Sequence, residues 1–135
     1  MAVIEKKIKL MGSKGEAEII AIFDSRVTYS CIQPELAKSL GKIEILPIPK
    51  HFDTAKKKTK VTAKEAVSFD FILNGYTFSD EFMIIPHLSN PVIIGATTLQ
   101  KWRMKLDFEN KDVIIDPKVT KLRLLELIKS DIFIT

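Results

Sequence analysis

Ile19-Ile20-Ala21-Ile22-Phe23-Asp24-Ser25-Arg26 is the stretch on which the fold turns. Five apolar residues in a row read as a buried strand, and the strand runs straight into an acid. A carboxylate beside apolar surroundings must be neutralised, paired or hydrogen-bonded, because desolvating its charge is costly. Asp24 is therefore the first candidate functional residue of the chain. Ser25 and Arg26 are the neighbours that decide what Asp24 can do.

The same local build returns once. The run Val92-Ile93-Ile94 ends at Gly95, and residues 97–103 have the character of one or two helical turns. Around Asp24 the order is again apolar strand, tight loop, short helix. There the helix is residues 33–41, with Pro34 in its first turn and Gly41 just past its end. Two copies of one motif suggest two half-lobes of similar construction.

The rest of the sequence reads mostly as strands. Residues 2–10 form a first strand before the turn Gly12-Ser13-Lys14-Gly15. Residues 16–23 form a second, apolar enough to be buried on both faces. Residues 28–32 are a short extended piece, and residues 43–48 a strand closed off by Pro47 and Pro49. Extended segments follow at 57–62 and 65–73, then Asn74-Gly75, a two-residue hairpin signal, and a return strand at 76–85. Residues 105–108 and 113–115 make a last hairpin. Val119, Leu122, Leu125 and Ile128 recur at helical spacing, ahead of an apolar stub at 132–134. The expected class is all-β, with two or three short helices, closed as a barrel.

Composition narrows the function classes. With 135 residues, 46% hydrophobic and 28% charged, the chain fits one ordinary globular domain, not a disordered segment. No apolar run could span a bilayer, and residues 1–10 lack the zones of a signal peptide, so a cytoplasmic protein is expected. Cys31 is the single cysteine; it reads as a buried core thiol. His51 and His87 stand without ligand or triad spacing, and no metal or cofactor is expected. The net charge of +4 is mild, and Lys56-Lys57-Lys58-Thr59-Lys60 has no aromatic platform beside it. Nucleic acid is the disfavoured partner.

With both motifs in view, the chain resembles the retropepsin-like aspartic proteases, the single-lobe relatives of pepsin. Residues Ala21 to Ser30 follow that family's apolar-Asp-Thr/Ser-Gly-Ala-Thr/Ser pattern at most positions, Thr28 among them. Pro34-Glu35-Leu36-Ala37 looks like the helix that follows it in bacterial and archaeal members. Val92 to Leu99 matches the apolar-apolar-Gly element, and residues 102–108 continue to an apolar-Asp-Phe strand. The resemblance covers about residues 15–116 of a single domain spanning 1–135. It implies a homodimer in which each subunit contributes Asp24 to a shared site that hydrolyses polypeptide. It places the substrate-covering flap at Ala55, Lys56, Lys57, Lys58, Thr59 and Lys60, and suits the tail, 117–135, to a dimer interface. Ser25 keeps the family's hydroxyl, and Gly95 a structural glycine. Arg26 replaces the motif glycine. A guanidinium there favours ionised carboxylates and opposes the shared proton. The alternative implied is an inactive module kept for dimerisation or for holding an extended peptide.

Overall fold

The computed structural model describes residues 3–53 and 60–119. Strand β1 (Val3–Gly12) and strand β2 (Gly15–Asp24) form a long antiparallel hairpin in which Val3 faces Asp24. After the Asp24 loop come the short β3 (Cys31–Ile32) and helix α1 (Pro34–Leu40). Then follow β4 (Glu44–Asp53), β5 (Lys60–Leu73), β6 (Tyr76–Ile84) and β7 (Val92–Ile94). Helix α2 (Ala96–Lys101) and the hairpin β8 (Lys105–Asp107) with β9 (Asp112–Ile114) complete the described chain.

The strand order β1-β2-β7-β3-β6-β5 closes on itself because β5 also pairs with β1, through Leu10 opposite Phe71. The result is a six-stranded barrel with β4 attached outside the ring to β5. Alternation fills the interior: Val67, Phe69, Phe71 and Leu73 on β5 and Phe78 and Phe82 on β6 are all buried. Phe71 lies 5.4 Å from Phe78 and 6.2 Å from Phe82 between ring centroids. Each such ring contributes roughly 1.5–3 kcal/mol by burial. The β5–β6 turn is Asn74-Gly75, both with positive φ (51° and 82°), as the two-residue hairpin signal requires.

Three expectations change. The second strand is not buried on both faces throughout, since Ile20 is 47% exposed. A closed barrel has one interior, so alternate side chains of β2 must point outward; its last residues gain cover where β7 joins at Ala21 to Phe23. The prolines do not end β4. It runs through Pro47 and Pro49 to Asp53, with its register interrupted between Ile45 and Lys50. An outer strand paired only with β5 tolerates the missing N–H groups there. The segments expected at 57–62 and 65–73 are one strand, β5, from Lys60 onward. Helix and hairpin expectations at 33–41, 97–103 and 105–115 hold within a few residues at their ends. The flap residues Ala55 to Thr59 and the tail from residue 120 lie outside the described residues.

Because Phe71 is fully buried against two other rings, Phe71→Ala should cost about 3–5 kcal/mol. Urea unfolding would read this directly, and a cost under about 1 kcal/mol would contradict the packing described.

Candidate active site

Asp24 is the last residue of β2, at the point where β1 and β7 flank the strand. The residue is 8% exposed, and among the described residues it is the buried side chain that carries a charge. Its backbone carbonyl accepts the Val27 amide at 3.3 Å, which turns the chain away from the barrel. Residues 25–30 then form turns and bends, and only Cys31 and Ile32 of the expected 28–32 piece pair as a strand.

The second motif clasps this loop. Gly95 sits between β7 and α2, and its N–H donates to Ser30 Oγ at 2.9 Å. Ser30 Oγ and Thr98 Oγ1 are hydrogen-bonded at 2.5 Å, both buried. Ala96 N donates to the Val27 carbonyl at 2.7 Å, and Thr97 N to the Thr28 carbonyl at 3.0 Å. Gly95 is required for its size. Its φ of −99° suits any residue, but an added Cβ would lie 2.7 Å from the carbonyl oxygens of Val27 and Tyr29. The expected structural glycine is therefore the contact that lets the two loops touch.

Arg26 grips Asp24 within the same chain. Its backbone N–H donates to Asp24 Oδ1 at 2.9 Å, Nε to Oδ1 at 3.1 Å, and Nη2 to Oδ2 at 3.1 Å. Both carboxylate oxygens are thus engaged, in the forked geometry at which arginine excels. The Asp24 side chain is 12% exposed and that of Arg26 47%. Burial works to raise the Asp24 pKa, but the Arg26 side-chain bonds, the Arg26 amide and its charge outweigh it. The carboxyl is held below the ordinary carboxylate range. Arg26 is raised in return, by its bonds to Asp24.

The remaining candidates distribute plainly. Thr28 is exposed, and its contribution to the clasp is its carbonyl. Ser25 is exposed too, so the brace inside one subunit comes from Ser30 and not from Ser25. Ser25 instead lines a hollow of about 510 Å³ with Leu99, Met104, Leu106 and Phe108. Lys60 opens β5 and is exposed. Cys31 donates to the Tyr29 carbonyl at 3.1 Å, and burial pushes its thiol up to about 12, which fits an inert core residue. Among the described residues no group of three or more His, Cys, Asp or Glu side chains could hold a metal ion. No helix there is long and apolar enough to cross a membrane.

Ser30 and Thr98 escaped the sequence reading. Their hydroxyls meet across 68 residues, and no local spacing announces such a pair. The available signal was indirect: two strand-loop-helix copies that must abut need polar groups to satisfy the buried amide between them.

No family model and no curated protein sequence matches the chain. Among solved structures it is similar to the retroviral protease-like domain of Ddi1 from Leishmania major. The TM-score is 0.66 at 16% identity, over 87% of this chain and 90% of that one.

Two measurements test this site. Gly95→Ala should destabilise by about 1–3 kcal/mol, since the backbone carbonyls it meets cannot swing aside; an unchanged unfolding midpoint would refute the close approach. For the ion pair, the folded Asp24 pKa lies below its unfolded value of about 3.9. Its stabilising contribution is full above that value and fades as pH falls through the folded pKa. Arg26→Ala should therefore lower the melting temperature near neutral pH, with the deficit closing well below about pH 4. A deficit independent of pH would show that Arg26 acts by packing alone. The mainly β, closed single-lobe barrel of this chain is the retropepsin-like fold.

Proposed function

We propose that the chain is a homodimeric aspartic endopeptidase that works at acidic pH, each subunit supplying Asp24 to one shared site. The observation that carries this reading is a desolvated carboxylate at a strand end, in a loop held by the Gly95, Ser30 and Thr98 clasp. Catalysis needs a carboxylate held in a set geometry, and a loop braced by buried hydrogen bonds suits that need better than a free surface turn. A single carboxylate per chain cannot run the reaction. Two of them, brought together on a dimer axis, share one proton, because close like charges cannot both ionise cheaply. The ionised member takes a proton from water as the water attacks the peptide carbonyl. The protonated member hydrogen-bonds the carbonyl oxygen, and a proton passes to the leaving amine as the C–N bond breaks.

Arg26 sets the pH range. By favouring the ionised form of each Asp24, it moves retention of the shared proton to more acidic conditions. The apolar hollow beside Ser25, with Phe108 47% exposed, supports docking of the second copy next to Asp24.

A second reading is favoured by the bidentate grip of Arg26 on both Asp24 oxygens. In it the dimer holds extended peptides without cutting them. The two readings separate in one experiment. Digestion of an unfolded protein substrate by the wild type should rise as pH falls between about 7 and 3 and vanish in Asp24→Asn. Arg26→Gly should move the profile toward neutral pH. Absence of wild-type turnover across that range, with the dimer intact and activity appearing in Arg26→Gly, would replace the first reading by the second. Phe108→Lys should shift the species seen by light scattering from dimer to monomer; a dimer that survives it would remove the docking surface from the argument.

A further inference from the structure

Beside the Asp24 loop, a cation is held against an aromatic ring, in no ion pair among the described residues. Tyr29 belongs to the loop that leads from Asp24 to β3. Its ring meets Phe52 of β4 edge to face at 5.5 Å. Lys50 Nζ lies 5.7 Å from the Tyr29 centroid. The register explains the grouping. Lys50 stands opposite Ala63 and Phe52 opposite Val61, so these side chains share one face of the β4–β5 ribbon. Ala63 is fully buried, which marks that face as the inward one. His51 and Thr62 oppose each other on the outward face, hydrogen-bonded at 2.9 Å, along with Lys60 and Lys64.

We infer that Lys50, Tyr29 and Phe52 form a subsite for an acidic side chain of the extended polypeptide, a deepening that rests on the polypeptide-binding reading above. The ring under Lys50 fixes the ammonium group in place without neutralising it, since a cation–π contact leaves the full charge available. Ion pairs among the described residues engage Lys6, Lys9, Arg26 and Lys101, and Lys50 takes part in none of them. Half-buried and pre-positioned, it loses little freedom on meeting a carboxylate. An extended peptide passing over the junction of the Asp24 loop with the β4–β5 ribbon presents alternate side chains to this wall. The net charge of +4 favours the approach of acidic chains over basic ones.

The experiment is a binding scan in the full-length Asp24→Asn variant, so that no probe is consumed. Short fluorescein-labelled peptides carry Glu, Gln or Lys at each position in turn, and anisotropy gives the affinities. At one position Glu should bind on the order of tenfold more tightly than Lys, with the preference shrinking as salt is added. Lys50→Met, which keeps most of the stem, should abolish that preference, and Lys50→Glu should reverse it. Peptides that bind with no charge preference, or with one that both Lys50 variants retain, would overturn the subsite while leaving polypeptide binding in place. Failure to bind any peptide, whatever its charge, would overturn the polypeptide reading and the subsite with it.

Discussion

The approach of Gly95 to the carbonyls of Val27 and Tyr29 is the constraint on which the site depends. At 2.7 Å from a would-be Cβ, there is no room for any side chain, so the two strand-loop-helix copies meet backbone to backbone. That contact lets Ala96 and Thr97 donate into the Asp24 loop, and it buries the Gly95 amide against Ser30. Sheet order supports the same junction. β7 lies between β2 and β3, parallel to one and antiparallel to the other, so the loop joining β2 to β3 must pass over the end of β7. Asp24 is placed by topology first and trimmed by hydrogen bonds second.

Within that frame the Asp24 carboxylate is pulled in two directions. Burial raises its proton affinity, and Arg26 lowers it by more. The guanidinium reaches both oxygens from two residues away in the same chain, while the Arg26 amide also donates to Oδ1. The turn after β2 makes the pairing possible. The loop thus accommodates an arginine where the resemblance implies a glycine, with the long side chain directed half into solvent.

The parts legible in the sequence were those with local causes. Asn74-Gly75 demands positive φ, so the β5–β6 hairpin could be placed to the residue. Pro34 and Gly41 bracketed α1 because each end of a helix has its own chemistry. Asp24 and Gly95 stood out because an acid and a glycine interrupt apolar runs. What could not be read depends on partners distant in sequence. Ser30 with Thr98 is one case, and the outward exposure of Ile20 is another, since it follows from closing the barrel. The passage of β4 through two prolines reflects its position outside the ring, which composition does not encode. Arg26 could be expected near some Asp24; that its own chain's carboxylate captures it is a matter of turn geometry.

The same arginine has opposite effects on assembly and on chemistry in a dimer of the proposed kind. Two bare carboxylates approaching on an axis repel, and in a desolvated interface the repulsion is weakly screened. Two Asp24–Arg26 pairs, each already neutral, approach with far less opposition. Neutrality at that stage favours docking. Once docked, however, each carboxylate retains its own counter-ion and has less need of the shared proton that would hold the pair together. Glycine at this position leaves proton sharing as the main way to relieve the repulsion, which couples assembly to catalytic competence. In the proposed dimer arginine would uncouple them: the subunits would join at a pH where the dyad is not yet protonated, so that polypeptide binding and hydrolysis would respond separately to acidity.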